Sequence, residues 1–455
     1  MNEEIFREYD IRGVVDTDLT FDVVKKLGQG IASYIKNHNA NQIVISRDNR
    51  ESSLRFRNAL TEGINSCGCD VIDIGLLPTP LFYFSMFQLK KDGGIMITGS
   101  HNPPNFNGFK IFENGSTIYG DEIQKVKKII LNNKFPEGNG KIIPENTILD
   151  KYIEYVSKNI TLSKPIKVVV DCGNGTAGLV APILLNKIGA EVVELYCELD
   201  GRFPNHHPDP TIPAYLKDLQ TKVKETNADV GIAYDGDADR IGAIDNKGNI
   251  LWGDRLLGLF SRDVLQKGHA KIVLEVKCSQ ALVEYITKYG GTPIMWKAGH
   301  SLIKGKMKEE KASLGGEMSG HMFFRDRYFG YDDAIYASAR LVEILSNSNL
   351  KLSEILSDMP LYNSTPEIRI GCPDKDKFWV IEEVKKYFSK KYKVIDIDGA
   401  RVLFNDGWGL VRASNTQPVI VMRCEGKTEK ALLEIKEIIK SKLKEYSIVE
   451  IPKDL

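Results

Sequence analysis

Short runs of β-branched residues alternate with helix-period segments along most of this chain, and each run ends in a polar loop. Segments 42–46 and 94–97 read as strands, with a helix over 54–66 between them. Strands at 166–171, 191–196 and 229–234, with a helix over 179–188, repeat the plan, and strand 271–276 with helix 280–289 repeats it again. Alternation of this kind packs helices onto mixed sheets, the α/β class. Near Asn363 the texture changes: strands at 368–370, 394–397, 401–404, 409–412 and 419–423 lie among helices over 378–390 and 428–446. That is an α+β pattern. The reading is three related α/β domains, 1–148, 149–249 and 250–361, followed by a smaller α+β domain, 362–455.

The 61 basic residues equal the 61 acidic ones, so no broad cationic surface for nucleic acid or acidic membrane is expected. No apolar run reaches the roughly 20 residues that cross a bilayer, and the acidic start Met1-Asn2-Glu3-Glu4 lacks a signal-peptide core. The seven cysteines, at 67, 69, 172, 197, 278, 372 and 424, form no Cys-x-x-Cys pair. They read as small core residues in a reducing cytoplasm. Cys67 and Cys69 are placed to face one way on a strand.

Four loops carry chemistry. Thr98-Gly99-Ser100-His101-Asn102-Pro103-Pro104 presents a hydroxyl at the end of a buried strand, with Gly99 removing steric cover and Lys110 just behind. No hydrolase turn or triad spacing surrounds it. Asp235-Gly236-Asp237-Ala238-Asp239-Arg240 brings three carboxylates together at alternate positions, a hard-oxygen set suited to Mg²⁺. It is not an EF-hand, because Arg240 stands at the sixth position and Asn246 at the twelfth. Gly316-Glu317-Met318-Ser319-Gly320-His321 combines a grip for sugar hydroxyls with a proton-transfer imidazole. Arg412-Ala413-Ser414-Asn415-Thr416-Gln417-Pro418 has the inventory of a phosphate cradle.

Further cations, Arg12, Arg47, Arg50, Lys277 and the 297–300 segment, are candidates to complete a phosphate pocket. His206-His207 reads as loop structure. Gly173-Asn174-Gly175-Thr176-Ala177-Gly178 fits the dinucleotide pattern and is the one argument for an NAD-dependent oxidoreductase. Against it, Asp171 puts a carboxylate where pyrophosphate would approach. A nucleophilic serine, a carboxylate-bound cation, a sugar clamp and a phosphate cradle together point to phosphoryl transfer on a phosphosugar.

Taken in order, these loops, with Glu8-Tyr9-Asp10-Ile11-Arg12-Gly13 before them and Lys297-Ala298-Gly299-His300 between, resemble the α-D-phosphohexomutase family, in its bacterial phosphomannomutase/phosphoglucomutase branch. The resemblance implies an isomerase that interconverts hexose 1-phosphate and hexose 6-phosphate, of mannose or glucose, through a hexose 1,6-bisphosphate. It implies a phosphoserine at Ser100 and Mg²⁺ held by Ser100, Asp235, Asp237 and Asp239. Arg12, Lys110 and His321 take catalytic positions. Tyr9, Arg240, Lys277, His300, Glu317, Ser319, Arg412, Ser414, Asn415 and Thr416 take substrate-binding ones. Four domains would surround a central cleft, the last swinging about a boundary near residue 360 to exclude water. The partner is a small phosphosugar, with no nucleic acid or membrane, and the chain a monomer or weak oligomer. Ala238 stands where a second glycine is common in the family. Met318 favours mannose and glucose phosphates over glucosamine phosphate, whose mutase is the alternative of the same mechanism.

Overall fold

A computed structural model describes residues 1–38, 40–414 and 417–452. They form two compact units: Met1–Asp263 with Ser319–Leu356, and Val264–Met318 with the described part of Ser357–Leu455.

The first unit holds two sheets. In the N-terminal one, strands run in the order Ile11–Val14, Phe106–Glu113, Gly93–Ile97, Gln42–Arg47, Asp70–Leu76 and Ile142–Pro144. Its centre is parallel, and Phe106–Glu113 is antiparallel to both neighbours. Ile43, Ile45, Ile95, Ile97 and Phe109 are fully buried in its core. Helix Phe21–Lys36 covers one face, started by Thr20, whose hydroxyl accepts the Val23 N–H. The second sheet runs Ile250–Leu251, Ile241–Asp245, Val230–Tyr234, Lys167–Asp171, Glu191–Leu195, again parallel at the centre with an antiparallel edge. Ser100 and Asp235 both lie just beyond the carboxyl ends of central strands, where open α/β sheets bind ligands. Helix Ala334–Ser346 is buried on every side. Its Arg340 is held by Asp263 at 2.6 Å and Asp326 at 2.9 Å, so the interior charge is paired.

In the second unit, Lys271–Glu275 lies between Thr292–Trp296 and Leu314–Gly316, all parallel. An antiparallel sheet, with Val419–Gly426, Gly407–Ala413 and Ala400–Phe404 at its centre, is backed by helices Asp374–Ser389 and Glu429–Lys444. Its Arg401 stacks 3.7 Å above the Trp408 ring and donates to the carbonyls of Val276 and Cys278. Arg423 donates to the carbonyl of Lys277 between them. Among the described residues no helix is long and apolar enough to cross a membrane.

Two local expectations change. The helix expected over 179–188 begins as a 3₁₀ turn, Thr176–Leu179, and is α-helical only over Ala181–Lys187, with Pro182 in its first turn. Cys67 caps helix Glu51–Ser66 and Cys69 precedes strand Asp70–Leu76, so the two do not share a strand.

Candidate active site

The serine loop is held from below rather than left bare. Ser100 has φ 48°, a left-handed conformation unusual for a residue with a Cβ. Its N–H donates to the Thr98 hydroxyl, and the Gly99 N–H donates to Asp48. The guanidinium of Arg50, fully buried, donates to the carbonyls of Ser100 (2.8 Å), Asn102 (2.5 Å), Pro103 (2.6 Å) and Phe106 (3.0 Å). A Cβ on Gly99 would stand 2.4 Å from Arg50 Nε. The space that glycine opens is thus filled by Arg50, a correction to the expectation that it uncovers the serine. Ser100 itself is 3% exposed.

Ser100 Oγ donates to Asp235 Oδ2 at 2.8 Å. The other oxygen of Asp235 accepts the N–H groups of Asp239 and Arg240. Asp235, Asp237 and Asp239 each turn one carboxylate oxygen to within 4.8 Å of the others, all buried. A tight turn, not an extended segment, brings them together, and Ala238 takes φ 61° in it. Lys110 Nζ donates to Asp237 (2.9 Å) and to Asp239. Burial opposes the lysine's charge, but the two carboxylates outweigh it and hold its pKa well above the ordinary value. Burial, joined by Asp239 and Asp237, pushes the Asp235 carboxyl well up. One ammonium therefore does not balance three carboxylates. Among the described residues, Oδ1 of Asp237 and Oδ1 of Asp239 are buried without a hydrogen-bond partner, the latter 3.6 Å from His321 Nδ1. Orphaned anionic oxygens in a hard-oxygen set fit a divalent cation. Thr79 completes the support: its hydroxyl donates to Asp237 Oδ2 at 2.6 Å and its N–H to the Asp237 carbonyl.

Cationic and basic groups surround this pair of loops. Arg12 reaches Asp10 through Nη2 at 2.5 Å, while its buried Nε has no hydrogen-bond partner among the described residues. Tyr9, half-buried, lies two residues ahead of strand Ile11–Val14. His101 Nδ1 lies 3.1 Å from Ser100 Oγ. Burial, then Arg240 and Arg12, drive the His101 pKa well below its ordinary value, so this ring is neutral. Arg240 Nε donates to His321 Nε2 at 3.0 Å, which leaves the His321 proton on Nδ1, 3.3 Å from Asp332 Oδ2. Ser319 is half-buried in the same unit.

The second unit holds the remaining candidates in two places. Glu317 is buried, with Oε1 accepting the N–H of Gly299, the residue before helix His300–Glu310. Lys277 lies 3.1 Å from Glu367 and 3.5 Å from Glu275. Burial works against its charge, and the two carboxylates raise its pKa. Arg412 Nε donates to Asp398 Oδ2, which also accepts the Ala298 N–H, so one carboxylate ties the phosphate-cradle strand to the loop before His300. Ser414 is buried, and its hydroxyl accepts the Gln417 N–H. Asn415 and Thr416 lie outside the described residues.

The Gly173–Gly178 turn spends its donors inside the protein. Thr176 N–H and Oγ both donate to the Gly236 carbonyl at 3.0 Å, and a Cβ on Gly175 would stand 2.8 Å from that oxygen. It buttresses the aspartate loop and offers no cradle to pyrophosphate, which removes the oxidoreductase reading.

Comparison with known proteins matches this layout. Family models described as phosphoglucomutase/phosphomannomutase α/β/α domains I, II and III and C-terminal domain match residues 3–137, 150–248, 252–362 and 367–442. A phosphomannomutase/phosphoglucomutase of Pseudomonas aeruginosa is 47% identical over 442 residues, covering 97% of this chain and 95% of its own. The chain belongs to the phosphoglucomutase/phosphomannomutase family. A phosphoglucomutase of Neisseria gonorrhoeae is 42% identical over 97% of both chains. The crystal structure of a phosphoglucomutase/phosphomannomutase family protein from Burkholderia thailandensis superposes with a TM-score of 0.93 at 40% identity, over 98% of each chain.

For this phosphoglucomutase/phosphomannomutase family member, the sequence reading missed Thr79, Asp48, His101 and Asp332. Thr79 contacts an aspartate 158 positions away, and no local signal marks it. His101 adjoins Ser100 and was open to notice as a base beside a nucleophile. Arg50, expected as a pocket cation, grips backbone carbonyls instead.

Proposed function

We propose that this chain is a Mg²⁺-dependent phosphohexomutase that interconverts the 1- and 6-phosphates of mannose and glucose. The observation that carries the proposal is the hydrogen bond from Ser100 Oγ to Asp235 inside a buried carboxylate triad with two orphaned oxygens. Phospho-Ser100 gives its phosphoryl group to the free hydroxyl of a hexose 1-phosphate; the P–O bond to serine breaks, the hydroxyl proton leaves with a base, and the freed serine oxygen takes up a proton. The resulting hexose 1,6-bisphosphate, also the activator, turns and returns its other phosphoryl group to Ser100, leaving hexose 6-phosphate. Bound Mg²⁺, held by Asp235, Asp237, Asp239 and the serine phosphate, supplies charge neutralisation at the transferring phosphoryl oxygens.

Arg12 and Arg240 stabilise charge on the transferring group, and His321, whose Nδ1 lies 3.3 Å from Asp332 and 3.6 Å from Asp239, is a proton-transfer group. Glu317 and Ser319 bind sugar hydroxyls. Tyr9, Lys277, His300, Arg412, Ser414, Asn415 and Thr416 bind substrate, chiefly its non-reacting phosphate. The domains 1–148, 149–249, 250–361 and 362–455 would carry the serine, metal, sugar and phosphate loops in that order, a division supported by the four matched segments. A cytoplasmic monomer or weak oligomer without nucleic-acid or membrane partners is part of the same reading.

The test is turnover of mannose 1-phosphate and glucose 1-phosphate with Mg²⁺ and a trace of bisphosphate, by wild type and Ser100→Ala. Wild type turns over and the variant does not; equal rates sink the covalent scheme. Glucosamine 1-phosphate in parallel separates the glucosamine-specific alternative.

A further inference from the structure

Two cysteines meet directly behind the metal loop. Cys172 ends the segment that continues strand Lys167–Asp171, Cys197 lies just past the neighbouring strand Glu191–Leu195, and their sulfurs are 3.4 Å apart. Cys172 is wholly buried, whereas Cys197 is partly open to solvent. Both thiols are free. A disulfide has its sulfurs about 2.05 Å apart, so closing the bond draws these two together by about 1.4 Å.

The backbone between them has little slack. Gly173, Asn174 and Tyr196 all take left-handed φ angles, of 49°, 60° and 52°. The Asn174 N–H donates to the Tyr196 carbonyl at 2.8 Å, and a Cβ on Gly178 would meet the Cys197 carbonyl at 2.0 Å. From this turn Thr176 makes its two hydrogen bonds to the Gly236 carbonyl, between Asp235 and Asp237. A pull on Cys172 is therefore transmitted, through four residues of packed turn, to the peptide that spaces two carboxylates of the triad.

We propose that Cys172 and Cys197 form a reversible disulfide that displaces the aspartate loop and lowers turnover. The oxidant is hydrogen peroxide. The Cys197 thiol attacks the peroxide oxygen, giving a sulfenic acid and water; the Cys172 thiol then displaces the hydroxyl, giving the disulfide and a second water. Two electrons pass from the sulfurs to the peroxide, and a small dithiol returns them. Burial, with Cys197 beside it, holds the Cys172 thiol well above its ordinary pKa, so the partly open Cys197 reacts first and Cys172 follows.

The effect on turnover rests on the proposed mutase activity, whereas the cross-link does not. The full chain is treated with hydrogen peroxide, digested without reduction and examined by mass spectrometry, with turnover measured before treatment, after it, and after dithiothreitol. Expected are a Cys172–Cys197 linked peptide, a loss of turnover of at least about tenfold, recovery with dithiothreitol, and Cys197→Ser and Cys197→Ala chains that keep their turnover through the same treatment. Absence of the linked peptide overturns the proposal, as does a linked protein of undiminished activity or equal inhibition of the Cys197 variants. An untreated chain that turns over no hexose phosphate overturns the mutase reading instead, and the linked peptide then stands alone.

Discussion

Replacing Arg50 by methionine tests how the reactive serine is held. The guanidinium donates to the carbonyls of Ser100, Asn102, Pro103 and Phe106, and each hydrogen bond from a charged donor is worth about 1.5 kcal/mol net, or about 6 kcal/mol together. Methionine fills similar volume but offers those carbonyls no donor, although Pro103 keeps the Phe106 N–H. Asp48 is not stranded, because it still accepts from the N–H groups of Gly99 and residue 50 and from Ser53. Removing a buried guanidinium also removes its dehydration penalty, which offsets part of the loss and leaves about 3–4 kcal/mol. That loss falls locally on residues 99–106. Their amides should exchange hydrogen faster by a few hundredfold, about 10² to 10³, since each 1.4 kcal/mol is a factor of ten. Turnover should fall by about a hundredfold, the usual result of moving a reacting group by ~1 Å. Arg50→Lys should recover only part of both, because an ammonium lacks the planar fork that spans four carbonyls. Hydrogen exchange followed by mass spectrometry and a turnover assay provide the readouts. Wild-type exchange in this loop and wild-type turnover for Arg50→Met would refute the reasoning.

Lys110→Met should lower the melting temperature in a chelator, since it takes from the buried Asp237 and Asp239 the ammonium they share, at a cost of about 3 kcal/mol or more; Mg²⁺ should restore part of the loss, and melts with and without the metal check it. Ala238 takes φ 61° and is fully buried, so Ala238→Gly trades about 1 kcal/mol of left-handed strain against a lost methyl and a freer unfolded chain and should be near neutral. Ala238→Val, branched where the backbone is left-handed, should destabilise by about 3 kcal/mol or more in thermal or urea melts. Burial raises the Glu275 carboxyl from 4.5 to about 7, with Lys277 opposing and Glu317 adding. Between those values the folded chain keeps a proton that the unfolded chain has released, so stability falls as pH rises through the window, by an amount on the order of 3 kcal/mol. Glu275→Gln should flatten that slope in melts taken from pH 4.5 to 7.

The α/β alternation and the α+β pattern of the C-terminal domain were legible because strand and helix periods are local properties of the chain; its antiparallel pairing was not. The company of Asp235, Asp237 and Asp239 was equally legible, being a matter of five consecutive residues. What could not be read is whatever depends on pairing across the fold. Arg50 and Lys110 are alike in sequence as cations near a polar loop, yet one grips carbonyls and the other two carboxylates. The nearest-looking motif misled for the same reason: the Gly173–Gly178 turn has the spacing of a dinucleotide loop, and only its packing on Gly236 reveals that its donors are occupied. The helix after it is shorter than its apolar pattern suggests, because Pro182 has no N–H to bond back to Gly178, so the residues before it form only a 3₁₀ turn.

Lys110 gives the aspartate loop a counter-ion that cannot diffuse away. A loop of acids balanced only by a dissolved ion would come apart each time that ion left, and every loading would be a refolding. Here the tethered ammonium keeps the turn assembled between visits, so metal exchange becomes an ordinary binding equilibrium on a finished scaffold. On the proposed metal-dependent reading, a chain stripped of its cation is dormant and recoverable, and scarcity of the ion would set how many copies work at once without deciding how many survive.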